Sequence, residues 1–471
     1  MLNITQGESR VYLQNIQNRY IKLELLSYQF QTLDSIEGVC TSGSLSIDAN
    51  ADIRRTGSLV LAVNNSSFEI EPGGKIWLDK YVKVFVGTQN LLTSNIEWTN
   101  CGIYIIDAPK YKYDVKTNTL TLSLLDLMAK LTGARNGYLP GLPVVLTAGE
   151  NIREAIIDTL ALGGFNQYVV EEAPRPGTIP NDLEFSQGAT IYDLLSALRD
   201  IYPNYEIFFD VNGVFYYKPI PTGDNEPVMV DDSLWKYIVI DENVEPDFQN
   251  VKNIVEVYGR THEPAYFATN TSVSGKTITL TNSTVTSYTQ GLIYGFTLTN
   301  NPGYTGYNLR INSLTSYPLR LLDGTTPASI PAESGTVYYC VQFQGTYWNY
   351  LGHLQAYGYA ENDNPNSPFY VDGTIGEIRL APLYGGDYEN IYTDDLATQR
   401  AEYELYLHSN MNDTITLTCV TVPWLDVNIL VEYTTQRNNV TSQYLIKSIS
   451  YGLAAKENMT VKMMKYYPTS S

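Results

Sequence analysis

Five carboxylates in one aromatic stretch are the first residues whose spacing could do chemistry: Glu361 with Asp363 and Glu377, and Asp387 with Glu389. Two carboxyl groups flanking a glycosidic bond, one as acid and one as base or nucleophile, would make a glycoside hydrolase. The chain carries 50 acids, however, so loop carboxylates close in sequence arise by chance and do not select catalysis. Other catalytic patterns are missing. There is no HExxH or GxSxG, and "GTQN" and "GGDYEN" lack both the phosphate-cradling spacing and the Lys–Ser/Thr ending. Of the three histidines, His262, His353 and His408, the one in "YLGHLQ" reads as a satisfied packing residue. Cys40, Cys101, Cys340 and Cys419 lie far apart without a CxxC, so no zinc site is expected, and Cys101 and Cys419 fit small buried apolar positions. Asp107, Asp126 and Asp210 sit at strand ends or turns, where Asp commonly bonds its own backbone. The expectation is no enzyme, no metal and no cofactor.

Binding chemistry is better represented. The sequence holds 39 Tyr against 13 Phe and 5 Trp, and Tyr combines a rigid apolar body with a wet hydroxyl. Ten aromatic residues crowd between Tyr338 and Tyr370. Three readings stand open for them: the core of a small β-domain, a contact with a neighbouring subunit, or a sugar-stacking platform built from Tyr347, Trp348, Tyr350 and Tyr357. Arg54 and Arg55 are adjacent cations in a chain of net charge −20. They read either as interface anchors or as ordinary surface charge beside a strand. Such an acidic chain has no basic cluster for phosphate backbones or anionic lipid, which argues against specific nucleic-acid binding and against membrane insertion. No run approaches the roughly 18 apolar residues of a membrane span, and "MLNITQGESRVYLQ" has no signal-peptide pattern.

The elements that must position these residues follow from periodicity. At 471 residues the chain is too long for a single core. Residues 1–30 read as an N-terminal helix or extended arm. Short strands punctuated by Gly, Asn and Pro fill 31–130, a first β-barrel. Residues 131–234 are an α/β segment. Asn151 with Glu154 opens one helix, and Thr190 with Asp193 caps a second, whose Ile191, Leu194, Leu195, Leu198 and Ile201 form one stripe. Asn212–Gly213 then turns a hairpin. Residues 235–260 add strands to a barrel, and 261–393 form an all-β, aromatic-rich insertion. In 394–471 Asp394 and Asp395 cap a helix whose Ala397, Ala401 and Leu405 recur at helical spacing. After it, Val427, Ile429, Val431 and Tyr433 alternate as one strand and Met459, Val461 and Met463 as the last, giving a second β-barrel. The fold class is mainly β with α+β parts.

Three stretches carry a family resemblance: "SGSLSIDANADIRRTGSLVLAV", "WTNCGIYIIDAPKYKYDVKTNTLTLSLLDLMAKLTG" and "ATIYDLLSALRDIYPNYEIFFDVNGVFYYKPIP". With the order "AEYEL … VPWLDVN … YLIKSIS … KYYP" at the end, the chain resembles the baseplate hub proteins of tailed phages and phage-tail-like particles, bacteriocins included. The insertion lies outside the resemblance. The resemblance implies a homotrimeric ring in which each subunit contributes two β-barrels. Such a ring meets a six-fold tail tube or distal tail protein on one face and a three-fold spike, fibre or tail-tip protein on the other. It places the protein in the virion, assembled in the bacterial cytoplasm, with genomic DNA passing an acidic lumen without specific binding. Arg54, Arg55, Trp424, Tyr466 and Tyr467 are then the interface candidates. The competing class is a glycan-binding adhesin at the tail tip, with 261–393 as its binding domain.

Overall fold

The computed structural model describes residues 10–14, 16–37, 40–63, 70–113, 118–141, 143–174, 176–221, 226–246, 248–409, 414–454 and 456–465. Seven strands open the chain: β1 (Arg19–Leu26), β2 (Thr32–Glu37), β3 (Cys40–Asp48), β4 (Arg55–Ala62), β5 (Tyr81–Gln89), β6 (Ile96–Tyr113) and β7 (Asn118–Leu125). The helix or arm expected before residue 30 is thus replaced by β1, because Leu23 and Leu25 alternate with Lys22 and Glu24 and bury one face only. β1 pairs antiparallel with β5 and turns directly into β2.

The α/β segment holds β8 (Val144–Leu146), α1 (Ile152–Leu162), β9 (Tyr168–Val170), β10 (Leu183–Phe185), α2 (Ile191–Asp200), β11 (Tyr205–Phe209) and β12 (Phe215–Pro219). Both helix starts are as the sequence dictates. Asn151 Oδ1 accepts from the Glu154 N–H, and Thr190 and Asp193 make a reciprocal capping box. Gly213, at φ +80°, makes the hairpin turn between β11 and β12.

α3 (Asp232–Ile238) leads into β13 (Val239–Glu245) and β14 (Ile254–Thr261). The insertion contributes β15 (Tyr266–Phe267), β16 (Asn270–Ser274), β17 (Thr277–Thr281), β18 (Ile293–Asn301), β19 (Tyr304–Thr305), β20 (Asn308–Ile311), β21 (Tyr317–Arg320), β22 (Ser329–Ile330), β23 (Glu333–Phe343) and β24 (Trp348–His353). β25 (Gln355–Glu361) pairs back on β14, so a two-stranded stalk carries the insertion. α4 (Asp394–His408) packs on that stalk. The chain ends with β26 (Thr414–Cys419), β27 (Leu430–Thr434), β28 (Thr441–Gly452) and β29 (Met459–Lys465).

The first and last strands are one sheet. Its order is β13-β26-β29-β28-β3-β4-β7-β6-β5-β1-β2, with β27 also paired to β28. The hand-off lies on β28: Leu445 and its N-terminal neighbours pair with β27, while Ser448–Gly452 pair with β3, as in Ile449 opposite Ile47. A 12-residue strand is long enough to serve both partners. One hydrophobic core follows, in which Leu45, Leu59, Val84 and Leu122 pack with Leu417, Val431, Ile449 and Val461. Burying this continuous apolar face against itself makes the two β-modules one body.

Among the described residues two further large cores lie outside it, beside a small cluster of Cys340, Leu351 and Tyr392. α1, α2, β11 and β12 share a core with Val255 and Val257 of β14 and with Leu396, Ala397 and Ala401 of α4. The insertion, an eight-stranded sheet running β15-β18-β23-β24-β21-β20-β17-β16, has its own core around Phe296, Tyr339 and Trp348. α4 comes close to the stalk because β25 has Gly358 at the crossing. A Cβ at that position would lie 2.1 Å from the Ala397 carbonyl.

Candidate functional site

Arg54 and Arg55 are buried inside the chain, at 5% and 1% exposure. They are therefore neither surface charge nor anchors reaching for a partner. The turn before β4 brings both guanidinium groups to the place where three segments meet. Arg55 donates through Nη1 to the Phe209 carbonyl (2.5 Å) and through Nη2 to both carboxylate oxygens of Asp426 (2.8 and 2.9 Å). Arg54 donates to Glu206 Oε2 (2.5 Å) and stacks its guanidinium 4.0 Å from the Phe208 ring centre. Asn428 Nδ2 also donates to Glu206 Oε2 (2.6 Å), and Lys218 Nζ lies 3.4 Å from Oε1. The first β-module, the β11–β12 hairpin and the loop before β27 are thus tied by one polar junction.

Asp126 completes it. Its carboxylate accepts from the Arg55 N–H (2.8 Å) and from the Met128 N–H (2.9 Å). Burial pushes its pKa up to about 6, against those two bonds and the nearby arginines. For Asp426, burial also acts upward, but Arg55 and then Arg54 outweigh it and hold the group below the ordinary carboxylate range. Burial would lower Arg55 likewise, and Asp426 reverses the direction. Charges removed from water at this cost are tolerated because each has a partner of opposite charge or a carbonyl. Sequence reading placed Asp126 at a strand end bonding local backbone. It missed that Asp126, Glu206 and Asp426 form the site of the two arginines, because 152 and 371 residues separate the pairs.

The remaining interface candidates divide. Trp424 is buried in the shared β-core, 5% exposed, so it packs the molecule rather than a neighbour. Tyr466 and Tyr467 lie outside the described residues.

The sugar platform does not assemble. Trp348 is fully buried, donates through Nε1 to the Leu309 carbonyl (2.9 Å), and has Tyr288, Tyr294 and Phe343 rings within 5.3 Å. Tyr350 is buried with it, while Tyr347 and Tyr357 are half-buried, the Tyr357 hydroxyl donating to Glu256 (3.0 Å). The crowded aromatics are largely the insertion's core, since large rings are what fills a small sheet. Of the carboxylates considered for hydrolysis, Glu361, Asp363, Glu377, Asp387 and Glu389 are all exposed. Glu361 accepts from Tyr359 and Glu377 pairs with Arg379 (3.0 Å). None of the five sits in an apolar pocket.

His353 has more structure around it than a packing residue needs. Nδ1 lies 2.7 Å from Asp394 Oδ2, and Nε2 lies 3.0 Å from Glu333 Oε1. Asp394 also accepts from the N–H groups of His353 (3.0 Å) and Tyr357 (2.8 Å). The clamp ties β23 and β24 of the insertion to the start of α4. Burial pulls the imidazole down, but Asp394 and Glu333 outweigh it, and its pKa lies above the ordinary value. The helix cap expected of Asp394 and Asp395 is instead Thr393, whose hydroxyl accepts from the Leu396 N–H (3.3 Å). Asp394 is diverted to the clamp.

The four cysteines are free, with Cys101, Cys340 and Cys419 buried, and burial pushes those three thiols up to about 11, 12 and 12. Among the described residues no cluster of three metal-ligating side chains occurs, and no helix is long and apolar enough to cross a membrane. What sequence reading passed over is exposed apolar surface. Leu92 on the β5–β6 turn is 95% exposed, and Tyr111 and Tyr113 stand out on the far end of β6, alternating with Lys110 and Lys112. Tyr237 and Phe248 are exposed near α3 and β13. Amphipathic side chains of this kind are enriched at protein interfaces.

No curated protein matches the sequence. Residues 366–470 match a family model described as a domain of unknown function (DUF5048). Solved structures match along nearly the whole chain. The 43 kDa tail protein of prophage MuSo2 from Shewanella oneidensis superposes with a TM-score of 0.52 at 12% identity, covering 94% of this chain and 98% of that one. The tail protein from Neisseria meningitidis MC58 gives 0.50 at 9% identity, covering 94% and 96%. The likeness is one of fold, and it includes the insertion's length of chain. The chain has the fold of phage tail proteins, as its resemblance to the hub family implied.

Proposed function

We propose that this chain is the structural hub of a tail baseplate, a homotrimeric ring between the tail tube and the spike. The observation that carries the reading is the single sheet that runs through both β-modules. Two modules fused in one rigid body, and locked to the α/β segment by the Arg54–Arg55 junction, keep a constant angle to each other. Three such chains then present six β-modules to a tube or distal tail protein, while the ring keeps three-fold symmetry for a spike or tail-tip protein. A flexible pair of modules would not hold that match.

The exposed Leu92, Tyr111, Tyr113, Tyr237 and Phe248 supply apolar area for subunit and tube contacts. Obligate ring interfaces bury about 2,000 Å² or more. The net charge of −20 suits a lumen that DNA passes without adhering. The tail is assembled in the host cytoplasm and the protein ends in the virion.

Light scattering with negative-stain class averages tests the reading. A three-fold ring at three times the 52.8 kDa chain mass is the expected result. A monomer that forms no ring alone or with tube protein added overturns it.

A further inference from the structure

A polar cleft runs between the α/β segment and the base of the insertion, and the hub role makes no use of it. Two adjoining hollows of about 410 and 500 Å³ share Asp182, Glu184, Arg260 and Thr261 as a common wall. The walls come mainly from three stretches distant in sequence, β10 with the residues before it, the end of β14 with His262 and Glu263, and residues 384–392, with Ile293 and Gln342 of the insertion's sheet added at one side. Four carboxylates, of Asp182, Glu184, Glu263 and Glu389, line it with one guanidinium, that of Arg260. Glu184, Glu263, Glu389 and Arg260 are exposed and none is in an ion pair among the described residues. Asp182 accepts from the Ala148 N–H (2.8 Å) through one oxygen only.

Two buried polar side chains on the same wall are incompletely hydrogen-bonded: Asn181 donates through Nδ2 to the Asp182 carbonyl (2.9 Å), but its oxygen accepts nothing. The His262 ring, which the Tyr392 backbone approaches, makes no hydrogen bond of good geometry; the two residues are 5% and 4% exposed. The Tyr392 ring meets the imidazole edge-on at 5.0 Å. Buried polar atoms without partners are rare in folded chains, and they mark positions that water or a ligand completes. Burial, with Arg260 beside it, holds His262 near a pKa of about 4, so the ring is neutral and offers one donor and one acceptor.

The exposed lining therefore mixes acceptors, the carboxylates, with a donor, the Arg260 guanidinium. Phosphate only accepts and ammonium only donates, whereas each hydroxyl of a polyol does both. At the outer end the Tyr384 ring, 72% exposed, offers a flat apolar face of the kind on which sugar C–H groups pack. We propose that this cleft binds a saccharide chain without acidic groups. Glu184 and Glu263 accept from its hydroxyls, and Arg260 donates to them. The excess of carboxylates over guanidinium turns away uronic acids and phosphorylated sugars. The site is separate from the Tyr347–Tyr357 platform, whose rings are largely core. The proposal does not rest on the hub reading, since one chain holds the whole cleft and ring formation is measured independently.

The test uses the full chain on a printed panel of neutral, amino and acidic oligosaccharides, with trilysine as a cationic peptide probe, followed by calorimetric titration. Neutral or amino sugars are expected to bind and acidic ones not. Glu184→Ala and Glu263→Ala should each weaken binding about tenfold, the loss of one charge-assisted hydrogen bond. Leu33→Ser on β2, an exposed position away from the cleft, should leave it unchanged. Both glutamates are exposed, so circular dichroism should show folded variants. Binding of trilysine alone would assign the cleft to a basic protein segment and overturn the proposal, as would binding of acidic sugars alone. No binding across the panel also sinks it.

Discussion

Two ionic joints hold sequence-distant segments together, and they are built on opposite principles. The junction at Arg55 is buried and its cation keeps its proton at any pH the protein meets, so it fails only when a carboxylate is neutralised. The clamp at His353 is 22% exposed and its cation is a titratable imidazolium. For Asp426, whose folded pKa is lowered, the stabilisation is fully present above the unfolded value and lost as pH falls through the lowered folded one. For His353, whose folded pKa is raised, the stabilisation is present below the unfolded value and lost as pH rises through the folded one. The Arg55–Asp426 pair inside the β-body thus loosens in acid, and the joint carrying the insertion loosens in base. The first fixes the two β-modules against the α/β segment. The second fixes a peripheral domain.

Breaking the permanent joint should have the largest effect. Arg55→Ala leaves Asp426 buried without its cation and the Phe209 carbonyl without a donor, and should cost about 3–5 kcal/mol in denaturant unfolding. Adding Asp426→Asn should recover part of that loss, since the orphaned charge goes with it. An Arg55→Ala protein as stable as wild type would mean that the sheet alone fixes the modules. Next comes Gly358→Ala, where the new methyl meets the Ala397 carbonyl and α4 must retreat from the stalk. About 1–3 kcal/mol is expected from such overpacking, with faster proteolysis between the insertion and α4. Unchanged melting and cleavage would show that α4 is free to shift.

Most of the scaffold was legible, and the places where it was not share a cause. Periodicity fixed β29 and the α2 stripe, and Thr190–Asp193 announced a capping box that is present. These are local rules, decided within a few residues. β1 was misread because "NIQNRYIKLELLSYQF" satisfies both a helix and a half-buried strand, and its pairing with β5, about 60 residues on, decides it. The joining of the two modules through β3 and β28 spans some 400 residues and left no local trace. The site suffered most. Arg54 and Arg55 drew notice as cations in an acidic chain, but their burial depends on Glu206 and Asp426, which no spacing connects to them. Trp348 and Tyr350 looked like a platform because a ring's identity does not reveal which face of a sheet it occupies.

The clamp sharpens the comparison at smaller scale. His353→Gln keeps a donor for one carboxylate but loses the charge, and should cost about 1–2 kcal/mol at pH 5–6. The cost should shrink as pH rises, because wild-type His353 then loses its own proton. His262 titrates in the same range with the opposite sign: its folded pKa near 4 makes wild type less stable as pH falls below the ordinary histidine value. Subtracting the His353→Gln melting curve from wild type at each pH cancels that contribution. Tyr339 and Tyr357, which contact the His353 ring, are pushed up by burial and stay neutral throughout. A difference that stays flat between pH 5 and 9 would mean that His353 carries no charge in the clamp.

The smallest expected effect concerns which residue opens α4. Asp394 and Thr393 are both good N-cap types, and the sequence favours the aspartate because it precedes the apolar spacing of Ala397 and Ala401. In the fold, Asp394 is committed to His353 and to two backbone N–H groups of the insertion, and the cap falls to Thr393. Thr393→Ala should therefore cost about 1 kcal/mol, the usual loss of a side-chain cap, with no change in the pH dependence of melting. Asp394→Asn should do the reverse, flattening the pH dependence because the imidazolium loses its nearer carboxylate. If Thr393→Ala were neutral and Asp394→Asn cost only a pH-independent increment, then Asp394 would be the cap and the insertion would hang on its stalk alone.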